Sequence, residues 1–155
     1  MKGTDGWSVS VKDRMMYSHT FTFDDGKPFT TGCTAVVTAT LEGKELGPYD
    51  ILIDIIVAQN ILREVMELYD HKNLDNLAAF KGRNTTVEVM AKAVCDELYS
   101  RLAAHHCRHS MSDGKGLGAV TGIHIDLEES DVAKASYFRS DPSGLFSGLQ
   151  AKSRL

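Results

Sequence analysis

Apolar and polar residues alternate from Trp7 to Phe23, with Val9, Val11, Met15, Tyr17, His19, Phe21 and Phe23 on one parity and Ser18, Thr20 and Thr22 on the other. This predicts a long, half-buried strand. After the turn residues Asp24-Asp25-Gly26-Lys27-Pro28, period two returns from about Thr31 to Glu42, with Cys33, Ala35, Val37, Ala39 and Leu41 on one face. The two segments are therefore expected to form an antiparallel ribbon. Beyond Gly43 to Pro48, the mostly apolar run Asp50 to Ile56 leads into Ala58, Ile61, Leu62, Val65, Met66 and Tyr69 at helical spacing, which predicts a helix over about Asp54 to Leu68. A second helix is expected from Thr85, with Met90, Val94, Leu98 and Leu102 on one stripe. It runs out in His105-His106-Cys107-Arg108-His109, read as solvated side chains that favour the negative end of the helix dipole rather than as a metal site. Ser112 to Gly118 is a glycine-rich turn whose Gly114-Lys115-Gly116-Leu117-Gly118 fits neither a P-loop nor a dinucleotide fingerprint. Val120 to Glu129 alternates again, with Ile123, Ile125, Leu127 and Glu129 on one face, and Ala133 to Arg139 makes a last strand. Residues 141–155, with Pro142, Ser143, Gly144 and Ser147 among them, read as a loose tail.

The order β-β-α-α-β-β predicts an α+β fold, an antiparallel four-stranded sheet backed by two helices. Its long first and second strands carry little charge to blunt an open edge, so pairing edge to edge with further copies of the chain is expected. At 155 residues and 43% hydrophobic, the chain suits one domain, 1–155, with its core in 7–139. A net charge of -4, with seventeen Lys and Arg spread along the sequence, gives no electrostatic footprint for nucleic acid or membrane and leaves a small molecule as the natural partner. The segment Met1-Lys2-Gly3-Thr4-Asp5-Gly6 lacks an apolar leader region and no later run is long enough to span a bilayer, so a cytoplasmic location is expected. Cys33, Cys95 and Cys107 form no CxxC pair and no even set, and read as reduced thiols.

Three places carry candidate chemistry. Glu129 puts a carboxylate on the face of Ile123, Ile125 and Leu127, where an ionised group must be paired, either by a Lys or Arg or by a ligand that offers a flat fork of two N–H donors. Thr85 and Glu88 fit a capping box ahead of the second helix. Asp70-His71 follows the first helix, where the imidazole either binds the last carbonyls or, oriented by the carboxylate, moves a proton.

Taken together, Asp70-His71-Lys72-Asn73-Leu74, Asn84-Thr85-Thr86 and Glu129-Ser130 with Tyr137 beyond resemble the 6-pyruvoyl-tetrahydropterin synthase and 6-carboxy-tetrahydropterin synthase family of the tunnelling fold, over about residues 7 to 139. The resemblance implies a homo-oligomer, a trimer or a pair of stacked trimers, closed into a barrel. It also implies a pterin ring held by Glu129, with Thr86 and Thr85 at the mouth of the pocket, and a proton relay of Asp70 and His71. The family binds zinc through a His on the first strand and a His-Gly-His at the start of the second. Here His19 matches the first ligand, but Thr31-Gly32-Cys33 stands in the second place, so the metal set is reduced to His19 and Cys33. The catalytic Cys that the family carries shortly before that motif is absent, and only Asp24, Asp25 and Lys27 lie between Thr20 and Thr31 as charged groups.

The resemblance leaves three functions. The first is a lyase that cleaves the side chain of 7,8-dihydroneopterin or its triphosphate by a retro-aldol step with no cofactor, Lys27 or Asp25 assisting from the turn. The second is triphosphate elimination with a recruited zinc. The third is a pterin-binding protein without catalysis.

Overall fold

The computed structural model describes residues 5–110 and 120–147. The glycine-rich turn at 112–118, residues 1–4 and residues 148–155 lie outside the described part. Strand β1 (Trp7–Thr22) and strand β2 (Pro28–Gly43) form the long antiparallel ribbon, in register from Trp7 opposite Gly43 to Thr22 opposite Pro28. The turn between them uses Gly26 at φ 69, a left-handed conformation that a residue without Cβ adopts at little cost. Helix α1 (Ile55–Met66) starts where the Asp54 side chain accepts the Ile56 and Val57 amides. Strand β3 (Lys72–Asn73) is a two-residue strand that runs parallel to Tyr17 and Ser18 of β1, and helix α2 (Val87–Ser110) follows. Strands β4 (Val120–Ser130) and β5 (Ala133–Ser140) complete an antiparallel hairpin on the far side of β2. The sheet order is β3-β1-β2-β4-β5, so the expected four strands are five.

One face of the sheet is the core, as the alternation predicts. Val11, Met15, Tyr17 and His19 of β1, Ala35, Val37, Ala39 and Leu41 of β2, and Ile123, Ile125 and Leu127 of β4 are all buried there. Helix α1 packs beneath β1 and α2 beneath β4 and β5, and the two helices also touch each other, with Leu62, Val65, Met66, Val94, Leu98 and Leu102 buried in the shared core. The opposite face is polar, with cross-strand hydroxyl pairs Ser10–Thr40 and Thr20–Thr30 at 2.8 Å each and a knot in which Asp126 draws His124, Lys134 and Ser136. No helix among the described residues is long and apolar enough to cross a membrane.

Two expectations about the polar segments are corrected. Residues 141–147 are docked, because the Asp141 and Leu145 amides bond the Thr121 and Val120 carbonyls at 2.8 Å and bury Leu145 and Phe146. Burying two such side chains contributes roughly 1.5–3 kcal/mol each, enough to hold the segment down. Phe146 in turn covers His106, 5.5 Å between ring centroids, so this imidazole is buried rather than solvated, while the His105 and His109 rings lie tilted against each other at 4.2 Å.

Burial pushes the His106 pKa below its ordinary value. An unfolded chain therefore takes up a proton at this ring that the folded protein refuses, so stability is complete above about pH 6.5 and is lost as pH falls from there toward the lowered folded value. His106→Leu, which has no proton to accept, is expected to show a shallower fall in urea midpoint between about pH 7 and about pH 5 than the parent. Equal slopes would show that other groups set the acid sensitivity.

Candidate functional site

The outer edge of β1 is where the sequence motif around residues 70–84 is spent. A bare edge strand exposes unpaired amides, and here they are taken one after another by side chains from the chain that leaves α1. Asp70 Oδ1 accepts the Met16 amide at 2.7 Å, Asp75 Oδ1 the Thr20 amide at 3.2 Å and Asn84 Oδ1 the Thr22 amide at 3.0 Å, while Asn84 Nδ2 donates to the Thr22 carbonyl at 3.0 Å. The His71 amide adds a bond to the Met16 carbonyl at 2.6 Å. This edge function of Asp75 and Asn84 is not carried by any local sequence signal, since the partners lie 55 and 62 residues away.

His71 sits at φ 56, a left-handed conformation that non-glycine residues enter at a cost and that recurs at functional sites. That conformation turns the chain off the end of α1 and leaves the imidazole exposed, with Nε2 3.6 Å from Asp70 Oδ2. The carbonyls of Glu67 and Leu68, just past the end of α1, accept from Lys72 Nζ at 3.1 and 2.8 Å, so the cation at the helix end is Lys72 and not His71. Asp70 thus has two duties on its two oxygens, one to the Met16 amide and one toward His71. Asp70→Ala orphans the amide and is expected to cost about 1–3 kcal/mol in urea unfolding, whereas Asp70→Asn, which keeps an acceptor, is expected to cost less than half as much. Equal losses would mean that the Met16 contact contributes nothing.

Thr85 and Thr86 divide the roles expected of them differently. Thr86 is the cap of α2, its Oγ1 accepting the Val89 amide at 3.3 Å, and Glu88 stays exposed, so the capping box read from Thr85 is displaced by one residue. Thr85 is buried and turned to β1, where its carbonyl and hydroxyl lie 2.8 and 3.0 Å from His19 Nδ1. Thr86, half-buried, keeps its place beside the surface.

Glu129 is exposed, which corrects the expectation of a carboxylate aimed into the core. The register slips between Glu128 and Ser130, and Glu129 is exposed there while Ile123, Ile125 and Leu127 of the same parity are buried. Its charge is still felt by the core-facing groups beside it. Burial, then the Glu129 charge and a Glu129 contact, push the Cys33 thiol up to about 11 against a lowering bond from Tyr17. Burial likewise holds the Tyr17 phenol well above its ordinary range, with Cys33 and Glu129 adding to it. Tyr17 stands opposite Cys33 in the ribbon and His19 opposite Thr31.

A zinc centre is tested by this donor set. The structural zinc requirement is three or four N, S or O ligands, with Cys bound as thiolate. His19 offers Nε2 and Cys33 a thiol, and the register partner of His19 is Thr31, a poor ligand. Among the described residues no three His, Cys, Asp or Glu are grouped closely enough to hold a metal, the His105 to His109 run included. The residues present do not fit zinc.

Across the sheet, Asp70 and His71 lie at the β1 edge and Glu129 on β4, with Tyr17 and Cys33 in the row between them. Three strand spacings separate the two ends, about 14 Å.

A sequence model of the family described as 6-pyruvoyl tetrahydropterin synthase matches residues 8–140. No curated protein sequence matches the chain. Among solved structures, 6-pyruvoyl tetrahydropterin synthase from Caenorhabditis elegans is similar with TM-score 0.64 and 18% identity, covering 90% of this chain and 100% of that one. The Plasmodium falciparum 6-pyruvoyl tetrahydropterin synthase is similar with TM-score 0.68 and 14% identity, over 88% and 99% of the two chains. A Plasmodium vivax counterpart gives TM-score 0.69 and 13% identity over 88% and 99%, in a variant that replaces a catalytic glutamate with alanine. These likenesses show that the fold is the one this family uses, down to the five-stranded sheet on two helices.

Proposed function

The chain belongs to the 6-pyruvoyl tetrahydropterin synthase family, and from that premise we propose that it cleaves the side chain of 7,8-dihydroneopterin, or of its triphosphate, by a retro-aldol step that needs no zinc. The observation that carries this reading is the pairing of an exposed, conformationally held His71 with Asp70, in a chain whose described residues group no three metal ligands.

Cleavage of the bond between the first and second side-chain carbons needs a base for the hydroxyl proton on the second carbon. The electron pair released from the broken bond passes into the adjacent C=N bond of the dihydropterin ring and gives an enamine, which then takes a proton at the first carbon. The ring itself stabilises the developing charge, so the protein's part is binding, orientation and proton transfer. His71, oriented by Asp70, is the proton carrier. Glu129 is the anchor for the ring, accepting the two N–H donors of the amino-pyrimidinone edge, and Thr86 and Thr85 line the entrance and its support. Asp25, whose side chain holds the Lys27 amide at 3.0 Å in the exposed β1–β2 turn, and Lys27 itself are the assisting groups. The carboxylate at this turn gains interest from the catalytic glutamate of the Plasmodium vivax relative.

In a single chain the ring anchor and the proton carrier stand at opposite ends of the row through Tyr17 and Cys33. We place them on one substrate by assembly, Glu129 from one copy and Asp70–His71 from a neighbour, in the trimer or hexamer expected for the family. The edge strand β5 is free to continue the sheet in such a ring.

Calorimetric titration with 7,8-dihydroneopterin tests the reading at its base. Saturable binding near one ligand per chain is expected, and absence of any binding would remove the pterin assignment.

A further inference from the structure

A non-glycine residue keeps a left-handed conformation only where the chain on both sides of it is fixed. Upstream of His71 the β1 edge does this: Asp70 Oδ1 accepts the Met16 amide at 2.7 Å, and the His71 amide donates to the Met16 carbonyl at 2.6 Å. Downstream, the backbone offers less. The Lys72 amide donates to the Tyr69 carbonyl at 3.2 Å, and β3 pairs with β1 over two residues, Lys72 and Asn73.

The remaining downstream tie is the Lys72 side chain. Lys72 is exposed, and an exposed lysine is ordinarily left to water because ordering its long stem costs conformational entropy. Here the stem folds back over the turn, and Nζ donates to two carbonyls, Leu68 at 2.8 Å and Glu67 at 3.1 Å. These carbonyls lie just past α1, where no further helical turn supplies donors and a cation is favoured by the helix dipole. Backbone and side chain together close a loop over residues 67–72, with His71 inside it.

The same tether decides which cation Asp70 meets. An ammonium two residues from a carboxylate is a natural ion-pair partner for it and would compete with the imidazole. With Nζ committed to the two carbonyls, the cationic or titratable group that reaches the Asp70 carboxylate, among the described residues, is the imidazole of His71, Nε2 standing 3.6 Å from Oδ2.

We infer that Lys72 is a positioning residue for the chemistry: it braces the left-handed turn at His71 from the downstream side, and its tether leaves Asp70 Oδ2 to the imidazole. The inference rests on the reading of His71 as the proton carrier and adds the group that sets the carrier's geometry. Lys72 acts through His71 and not on the substrate.

The test is a cycle of variants assayed for cleavage of 7,8-dihydroneopterin, with dissociation constants and urea midpoints taken on the same preparations. Lys72→Met keeps an apolar stem and removes the ammonium. It is expected to lower kcat by about 10- to 100-fold, the cost of a misplaced catalytic group, with the dissociation constant for dihydroneopterin unchanged. Lys72→Arg, whose guanidinium has donors for both carbonyls, is expected to recover most of that loss. In a protein that already carries His71→Asn, Lys72→Met is expected to change the residual rate by less than about twofold, because the group it positions is gone. A comparable loss in both backgrounds, or a fall in kcat that tracks a lowered urea midpoint and is not recovered by Lys72→Arg, would reduce Lys72 to a structural residue and overturn the inference. A kcat for Lys72→Met within about twofold of the parent would overturn it too, while leaving His71 as the proton carrier. No cleavage by the parent, or a parent rate unmoved by His71→Asn, would overturn the reading of His71 and the inference together.

Discussion

His71→Asn is expected to lower the rate of side-chain cleavage by about 100- to 10,000-fold, the range for losing a positioned proton carrier, with little change in the affinity for dihydropterin. Asparagine is the informative replacement because it tolerates the left-handed conformation at φ 56, so the turn off α1 survives. The backbone contact to Met16 is also kept, since it uses the His71 amide and not the ring. The imidazole is exposed and makes only the 3.6 Å approach to Asp70, so its removal uncovers nothing in the core. Stopped-flow turnover, dissociation constants and urea midpoints measured on the same preparation separate the roles. A large rate loss with an unmoved midpoint is expected, and a rate within about twofold of the parent would exclude His71 from the chemistry.

Loss of the Glu129 carboxylate is the second large effect. Two charge-assisted bonds to the ring edge contribute roughly 1.5–3 kcal/mol each, so Glu129→Ala is expected to weaken dihydroneopterin binding by at least about 100-fold. Because the residue is exposed in the chain and its strand is already irregular there, the fold should not suffer. A second consequence is independent of any ligand. The Glu129 charge is one of the groups that, after burial, pushes the Cys33 thiol up to about 11, so the variant's thiol is expected to titrate lower and to react faster with an alkylating reagent at alkaline pH. Unchanged binding with faster alkylation would show that Glu129 lies where described but does not hold the ring.

The alternation along β1, β2 and β4 was readable because each buries one face against helices, which writes period two directly into the residues from Val11 to Leu127. The α1 and α2 stripes were readable for the same reason. Strand β3 was not, since two residues have no period, and its existence depends on the His71 turn delivering Lys72 and Asn73 alongside Tyr17 and Ser18. Glu129 stands beside core-facing Cys33 and is nonetheless exposed, because it lies at the irregular end of β4, a feature that period two does not mark. Thr85 was mistaken for the cap because Thr85 and Thr86 are both competent caps, and the choice between them was made by the distant imidazole of His19. His106 and the segment 141–147 bury each other's apolar surface through Phe146, a contact spanning the whole of β4 and β5 that no local pattern carries. Asp70-His71 and Thr31-Gly32-Cys33 stand out in the sequence as local motifs, whereas the hold of Thr85 on His19 exists only once the strands are folded.

Chromatographic analysis of the products formed from 7,8-dihydroneopterin, with and without a metal chelator, tests the account at its centre. The account predicts 6-hydroxymethyl-7,8-dihydropterin and the two-carbon aldehyde in equal amounts, at a rate the chelator does not change. Absence of that product, or its appearance only when zinc is supplied, would contradict a zinc-independent side-chain lyase.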